Sequence, residues 1–238
     1  MLVHNIIIHN IYTYLDLETK CVFEQTNSYA HNLTNVGWID CFISKLNQIP
    51  NYEGMITDEI LCQKKYKNLK KIEAYSNIAD VGISKMQLHT LYAWNDSKIT
   101  DAGISKMQLH TLYDWNDSKI TDVGISKMRL HTLYAYGNSY ITDVEISKMR
   151  LHTLHASGSS KITDVGISNM LLHTLNASYY SNITDVGISK MRLHTLNAYG
   201  CSKITDVGIS KMQLHTLIGK YNFTNVGISK MQHVTVLT

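Results

Sequence analysis

The sequence predicts an α/β solenoid in which parallel β-strands stack coil upon coil, and three observations lead there. Histidines recur every 21 residues, at His89, His110, His131, His152, His173, His194 and His215. Aspartates keep the same step at Asp80, Asp101, Asp122, Asp143, Asp164, Asp185 and Asp206. The stretch ITDVGISKMRLHTL at 120–133 returns letter for letter at 183–196. A fixed period of this size marks a repeat architecture, because one unit cannot bury its apolar face alone and stacks on copies of itself.

Each element follows from the repeated text. With Leu88 as position 1, apolar residues recur at positions 1, 4, 6, 12, 17 and 20, with polar Asp114 at position 6 of one copy. The segment LHTLxA alternates between apolar and polar, as a short strand does. The segment TDVGISKM opens with Thr and Asp, which favour helix starts, so the Asp column is expected to cap short helical arcs. Nine strand segments, from 69–74 to 233–238, would then stack in parallel at about 4.8 Å per coil. Glu145 replaces the glycine of DVG in one coil, which argues against an obligatory positive φ there. Upstream, MITDEI at 55–60 and SKLNQI at 44–49 are degenerate echoes of the same text, expected to form irregular capping coils.

Composition narrows the class. Of the 238 residues 44% are hydrophobic, enough for a substantial core, and a net charge of +3 gives no general reason to expect nucleic acid. The four cysteines, Cys21, Cys41, Cys62 and Cys201, have no CxxC or zinc spacing and read as reduced thiols inside the cell. The opening MLVHNIIIHNIYTYLDLETK has neither a basic n-region nor a small-residue cleavage site, and no apolar run reaches membrane-spanning length. The expectation is a cytoplasmic protein, with the nucleus also open, needing no cofactor and no metal. No P-loop, GxSxG or HExxH occurs, so no catalytic residue is assigned and no enzyme is expected.

The text LHTLYAYGNSYITDVEI resembles the leucine-rich repeat pattern LxxLxLxxN/CxI, with Ala in place of the third leucine. Its ITDxGI flavour is similar to the cysteine-containing subclass found in F-box/leucine-rich-repeat proteins. Asn77, Asn138, Cys201 and Asn222 stand at position 9, where that family places an Asn or Cys ladder, whereas Asp96, Asp117, Ser159 and Tyr180 depart from it. The resemblance covers 69–238 and implies a horseshoe with its parallel strands on the concave face. Residues 41–238 form the solenoid, with 41–68 degenerate and 69–238 regular.

Residues 1–40 precede the solenoid and read as helical. IIIHNIYTYLDLETKCVFEQTNSYAHNL resembles a degenerate F-box, although the family's opening Leu-Pro falls at Val3-His4 and its later Trp near Ala30. The bland alternative is a helical cap on the solenoid. If the resemblance holds, Ile7, Ile8, Ile11, Tyr14, Leu15, Leu17 and Val22 divide between a small core and a dock for a Skp1-type adaptor. The implied function is a protein–protein interaction scaffold, the substrate-recognition subunit of a Skp1–cullin–F-box ubiquitin ligase. The alternative is a leucine-rich-repeat binding module without a ubiquitin link. The expected partners are the adaptor and a target protein, with neither nucleic acid nor membrane, and the chain is expected to be monomeric outside its complex.

The repeated columns read as structure. The His column supplies one imidazole per coil and so no compact metal site. Its like charges should resist full protonation and weaken the fold below about pH 6, which melting temperatures between pH 7.5 and 5 would reveal. The Thr column (Thr90 to Thr216) either bonds from coil to coil or suits strand geometry, and the Lys column (Lys85 to Lys211) reads as a solvated convex face. Function is sought where the copies differ. Positions 5 and 7 vary and point away from core positions 4 and 6. In the first half they display Tyr75, Tyr92, Trp94, Tyr113, Trp115, Tyr134 and Tyr136. Contiguous surface aromatics mark interaction surfaces, whereas the competing reading is that they only brace neighbouring strands.

Overall fold

The structure is a computed structural model that describes residues 57–62, 70–94, 96–116, 118–137, 139–158, 160–200, 203–231 and 233–237. The F-box-like segment 1–40, the degenerate coils over 41–56 and the ladder positions Asp117, Asn138, Ser159 and Cys201 lie outside the described residues.

The chain alternates one-turn helices with short strands. They run α1 (Asp58–Leu61), β1 (Lys71–Ala74), α2 (Asp80–Ile83), β2 (Thr90–Ala93), α3 (Asp101–Ile104), β3 (Thr111–Trp115), α4 (Asp122–Ile125) and β4 (Thr132–Tyr136). They continue α5 (Asp143–Ile146), β5 (Thr153–His155), α6 (Asp164–Ile167), β6 (Thr174–Asn176), α7 (Asp185–Ile188), β7 (Thr195–Asn197), α8 (Asp206–Ile209), β8 (Thr216–Ile218), α9 (Asn225–Ser229) and β9 (Thr235–Leu237). Among the described residues the strands form one nine-stranded parallel sheet in chain order. The register pairs like with like, Thr111 with Thr132 and Leu112 with Leu133. This is the solenoid arrangement that the period implies. The first and last steps are shorter by two residues, Ile72 pairing with Leu91 and Leu217 with Val236. At the last of these steps a single 3-10 turn (Lys220–Asn222) makes the connection.

The core is a stack of identical layers. Leu130, Leu133, Ala135, Ile141 and Ile146 of one coil are all buried, as are their equivalents on either side. Each buried Leu or Ile contributes roughly 1.5–3 kcal/mol of apolar burial. The backbone locks the layers: the carbonyl of His110 accepts from the N–H groups of both His131 (2.9 Å) and Thr132 (3.1 Å), and the fork repeats through the bonds of His215 and Thr216 to the His194 carbonyl.

One expectation is overturned here. The Asp column does not cap its helices. Thr is the N-cap, its hydroxyl oxygen accepting from the N–H two residues on, as Thr121 does from Val123 at 3.2 Å. The Asp instead reaches into the following coil. Asp101 Oδ1 accepts from the Thr121 N–H at 2.8 Å, and Asp101 Oδ2 accepts from the Thr121 hydroxyl at 2.7 Å. The same double clamp joins Asp122 to Thr142, Asp143 to Thr163, Asp164 to Thr184 and Asp185 to Thr205. Asp58 makes half of it, to the Ala79 N–H at 2.8 Å, because Ala79 has no hydroxyl. Asp58 thus does for coil one what each later Asp does for its successor.

The clamp also explains the glycine of DVG, and as expected the reason is not a positive φ. A Cβ on Gly187 would lie 2.9 Å from Asp164 Cγ and 3.1 Å from its Cα, so the carboxylate of the preceding coil fills that space. Glu145 occupies the same position in α5, buried, with its carboxylate paired to Lys148 Nζ at 3.0 Å. In that coil Met149 is only partly buried, unlike Met128 and Met170.

Two asparagine side chains bridge neighbouring coils. Asn222 Nδ2 donates to the Gly200 carbonyl at 2.8 Å, and Asn182 Nδ2 to the Ser160 carbonyl at 2.9 Å. Asn182 stands at position 11, and the shortened last coil brings Asn222 level with it. Among the described residues these two amides bridge coils from equivalent places.

Candidate interaction surface

Positions 5 and 7 project from the face of the sheet opposite the core, and the structure gathers all seven predicted aromatics there, each half-buried. They form two adjoining columns. In the first, the rings of Tyr92, Tyr113, Tyr134 and His155 stack face to face with centroids 3.9 Å apart at every step. In the second, Tyr75 meets Trp94 at 5.9 Å, Trp94 meets Trp115 edge-on at 4.9 Å, and Trp115 meets Tyr136 at 5.2 Å. Tyr92 and Trp94, 6.4 Å apart, join the columns.

The strands that carry these residues differ in length. β3 and β4 extend to five residues with Trp115 and Tyr136 paired in register, whereas β2 and β7 stop before Trp94 and Tyr199. Where position 7 is serine, strand pairing stops at position 5. Ser157 and Ser178 turn inward and are buried, contrary to the expectation that position 7 always faces outward. For Ser178 the reason is local: the Asn176 side-chain oxygen accepts from both its N–H and its hydroxyl, at 3.0 and 2.7 Å, and pulls the chain into a turn.

The ends of the first column are polar. Lys71 Nζ sits 4.7 Å from the Tyr92 ring centroid and 3.4 Å from the Glu73 carboxylate. At the other end His155 Nδ1 is 3.2 Å from Asn176 Nδ2. Burial pushes the Tyr134 hydroxyl up to about 12 and lowers His155 to about 4, so both are neutral at pH 7. Burial, then the neighbouring Tyr92 hydroxyl, raises Tyr113 as well. The surface is therefore uncharged and aromatic, framed by Lys71 and Glu73. Among the described residues the indole N–H groups of Trp94 and Trp115 are enclosed without a hydrogen-bond partner, a cost that a ligand acceptor could relieve.

No protein family model matches this sequence, and no curated protein does either.

The His column is stacked as expected, with centroids 4.4 to 4.6 Å apart from His89 to His215. Parallel rings aim their nitrogens the same way, so they cannot converge on one ion. Among the described residues no group of three or more metal-ligating side chains forms. The Thr column follows neither expected reading alone, because each hydroxyl lies beside the Nδ1 of its own coil's histidine, as Thr132 does at 3.1 Å from His131. Among the described residues no helix is long and apolar enough to cross a membrane.

Sequence reasoning missed two features. His155 completes the tyrosine stack, and its place at position 5 was the available signal. The valines of DVG, among them Val123, Val165 and Val186, form an exposed apolar row that no periodicity separates from core positions. The adaptor-binding candidates Ile7, Ile8, Ile11, Tyr14, Leu15, Leu17 and Val22 fall outside the described residues.

Proposed function

We propose that this protein is a non-enzymatic scaffold that holds a partner protein on the Tyr/Trp face of its sheet. The carrying observation is the convergence of Tyr75, Tyr92, Trp94, Tyr113, Trp115, Tyr134 and Tyr136 onto one uncharged, half-exposed surface of adjacent coils. Tyr and Trp are the residues that most often carry binding energy at protein interfaces. On the leucine-rich-repeat resemblance this face is the concave one, and the fold is a horseshoe.

The substitutions Trp94→Ala and Trp115→Ala together test it. Because the rings are packed, the double variant should melt earlier, by several degrees, while its far-UV CD at 25 °C stays that of the parent. Cross-linked partner capture should disappear. Capture that survives in the folded double variant sinks the reading.

The finer proposal is that the scaffold is the substrate receptor of a Skp1–cullin–F-box ubiquitin ligase. It is supported by the resemblance of IIIHNIYTYLDLETKCVFEQ to an F-box and by its position before this type of repeat. The full chain should then retain a purified Skp1-type adaptor, and Ile8→Asp with Ile11→Asp should abolish retention without changing the solenoid's melting. If the parent chain fails to bind the adaptor, the plain binding module remains.

A further inference from the structure

The low net charge hides an uneven distribution. Along the text SKMRLH, Met128 and Leu130 are buried while Lys127, Arg129 and His131 are exposed, so two cationic side chains and an imidazole emerge from one side of an extended segment. The next coil repeats this with Lys148, Arg150 and His152. The imidazoles of His131 and His152 are 4.6 Å apart, held at that step by the His152 N–H to His131 carbonyl bond of 2.9 Å. All three arginines of the chain, Arg129, Arg150 and Arg192, stand in this column. Among the described residues the one ion pair on the strip is Lys148 with Glu145 at 3.0 Å. The aspartates that balance the total charge are elsewhere, engaged in the clamps between coils.

We propose that this strip binds the phosphate backbone of a single-stranded nucleic acid, with imidazole protonation tightening the hold. Lysine and histidine recur from coil to coil and arginine in three of the coils, an arrangement that carries no sequence information and suits a ligand that itself repeats, as a backbone does and bases do not. Arginine's planar fork suits phosphate oxygens. A single strand's rotatable backbone can settle along a row of donors that steps by 4.6 Å from coil to coil. The neighbouring tyrosines already stack on each other at 3.9 Å and leave no free ring face for bases. Binding is therefore sequence-independent and salt-sensitive. An anionic lipid surface would use apolar anchors beside the cations; within the arginine column only Leu171 is one, the exposed valines stand four positions before the lysines, and the vesicle arm of the test below distinguishes the two ligands.

Proton linkage follows from what faces each imidazole. His131 lies between His110 and His152, its Nδ1 is 3.1 Å from the Thr132 hydroxyl, and the charged side chains on its strip are Lys127 and Arg129, with Lys148 and Arg150 one coil on. Among the described residues no histidine pairs with a carboxylate. Like charges at this separation oppose one another, and desolvation, then His173 and His215, hold His194 below the usual imidazole value. A phosphate chain supplies the missing countercharge, so binding takes up protons as pH falls toward 6.

The test is fluorescence anisotropy of a labelled oligothymidylate of about 20 nucleotides with the full chain, across a salt series. Affinity should rise on the order of tenfold between about pH 7.5 and pH 6. Arg129→Gln, Arg150→Gln and Arg192→Gln together should weaken binding at least roughly tenfold and reduce the salt slope by about 2. Leu171→Arg, which fills the gap between Arg150 and Arg192 on an exposed site, should tighten binding and steepen the slope by about 0.7. The proposal is overturned by no binding at low salt, or by a triple variant whose slope matches the parent's. It is equally overturned if a sulfated glycan or phosphatidylserine vesicles are bound in preference to the oligonucleotide.

Discussion

Asp164→Ala should destabilise the solenoid by about 2–4 kcal/mol, more than any surface carboxylate in an ordinary helix. Its Oδ1 accepts from the Thr184 N–H at 2.8 Å and its Oδ2 from the Thr184 hydroxyl at 2.6 Å. Hydrogen bonds to a charged acceptor contribute roughly 1.5–3 kcal/mol each, and truncation leaves a part-buried amide without a partner. Asp164→Asn keeps one acceptor and should cost less. The diagnostic variant is Gly187→Ala. Its added methyl meets Asp164 Cγ at 2.9 Å, so in the parent it should cost about 1–3 kcal/mol of overpacking. In the Asp164→Ala background the carboxylate is gone and only the 3.1 Å approach to the Cα of residue 164 remains, so the same change should cost clearly less. Urea unfolding of the four proteins gives the coupling directly. Additive effects would show that Gly187 serves some purpose other than making room for the carboxylate.

The strand order was legible because near-identical copies align themselves. Once Leu133 is placed under Leu112, register, parallel direction and core positions follow from period alone. What one coil does to the next was not legible. Asp and Thr at a helix start invite a capping interpretation, and both readings satisfy the same two letters. The difference is that Asp101 finds its partner 20 residues on, at Thr121, and only three-dimensional stacking reveals this. The aromatic surface was visible as a departure from the repeat, yet its mutual stacking was not, nor was the inward turn of Ser157 and Ser178. Those depend on contacts between coils, which one copy of the repeat does not display. The cationic strip was visible as separate Lys and His columns. Their union required knowing that Met128 and Leu130 point inward on either side of Arg129.

Asp114→Ala should stabilise the protein by about 3 kcal/mol at pH 7.5 and by far less near pH 4. Asp114 stands in β3 at the position held by Ala93 and Ala135 in the adjacent coils, and its side chain is fully buried. The Ser139 hydroxyl donates to Oδ2, while Oδ1 has no partner among the described residues. Burial therefore raises its carboxyl from 3.8 to about 6, against the opposing pull of the Ser118 and Ser139 hydroxyls and with a further push from Asp101. Between those two values the folded chain holds a proton that the unfolded chain has released. Stability then falls as pH rises through that window and stays low above it. The two-unit gap corresponds to roughly 3 kcal/mol. Ser139 should not be stranded by the change, since Ser181 in an alanine-bearing layer donates instead to the Ala156 carbonyl at 2.8 Å. Asp114→Asn, which cannot ionise, should lose the pH dependence while retaining some burial cost. Thermal melts of parent and variants from pH 4 to 7.5 decide it: a difference that does not grow with pH, or a variant less stable than the parent at pH 7.5, rejects the account. The position of this residue adds meaning to the outcome. Asp114 lies between Tyr113 and Trp115, beneath the proposed binding face, where a natural sequence tolerates a local cost when the surface above needs it. A variant that gains stability yet loses partner capture would show that the buried carboxylate shapes the aromatic face, and one that gains stability with capture intact would confine its role to the core.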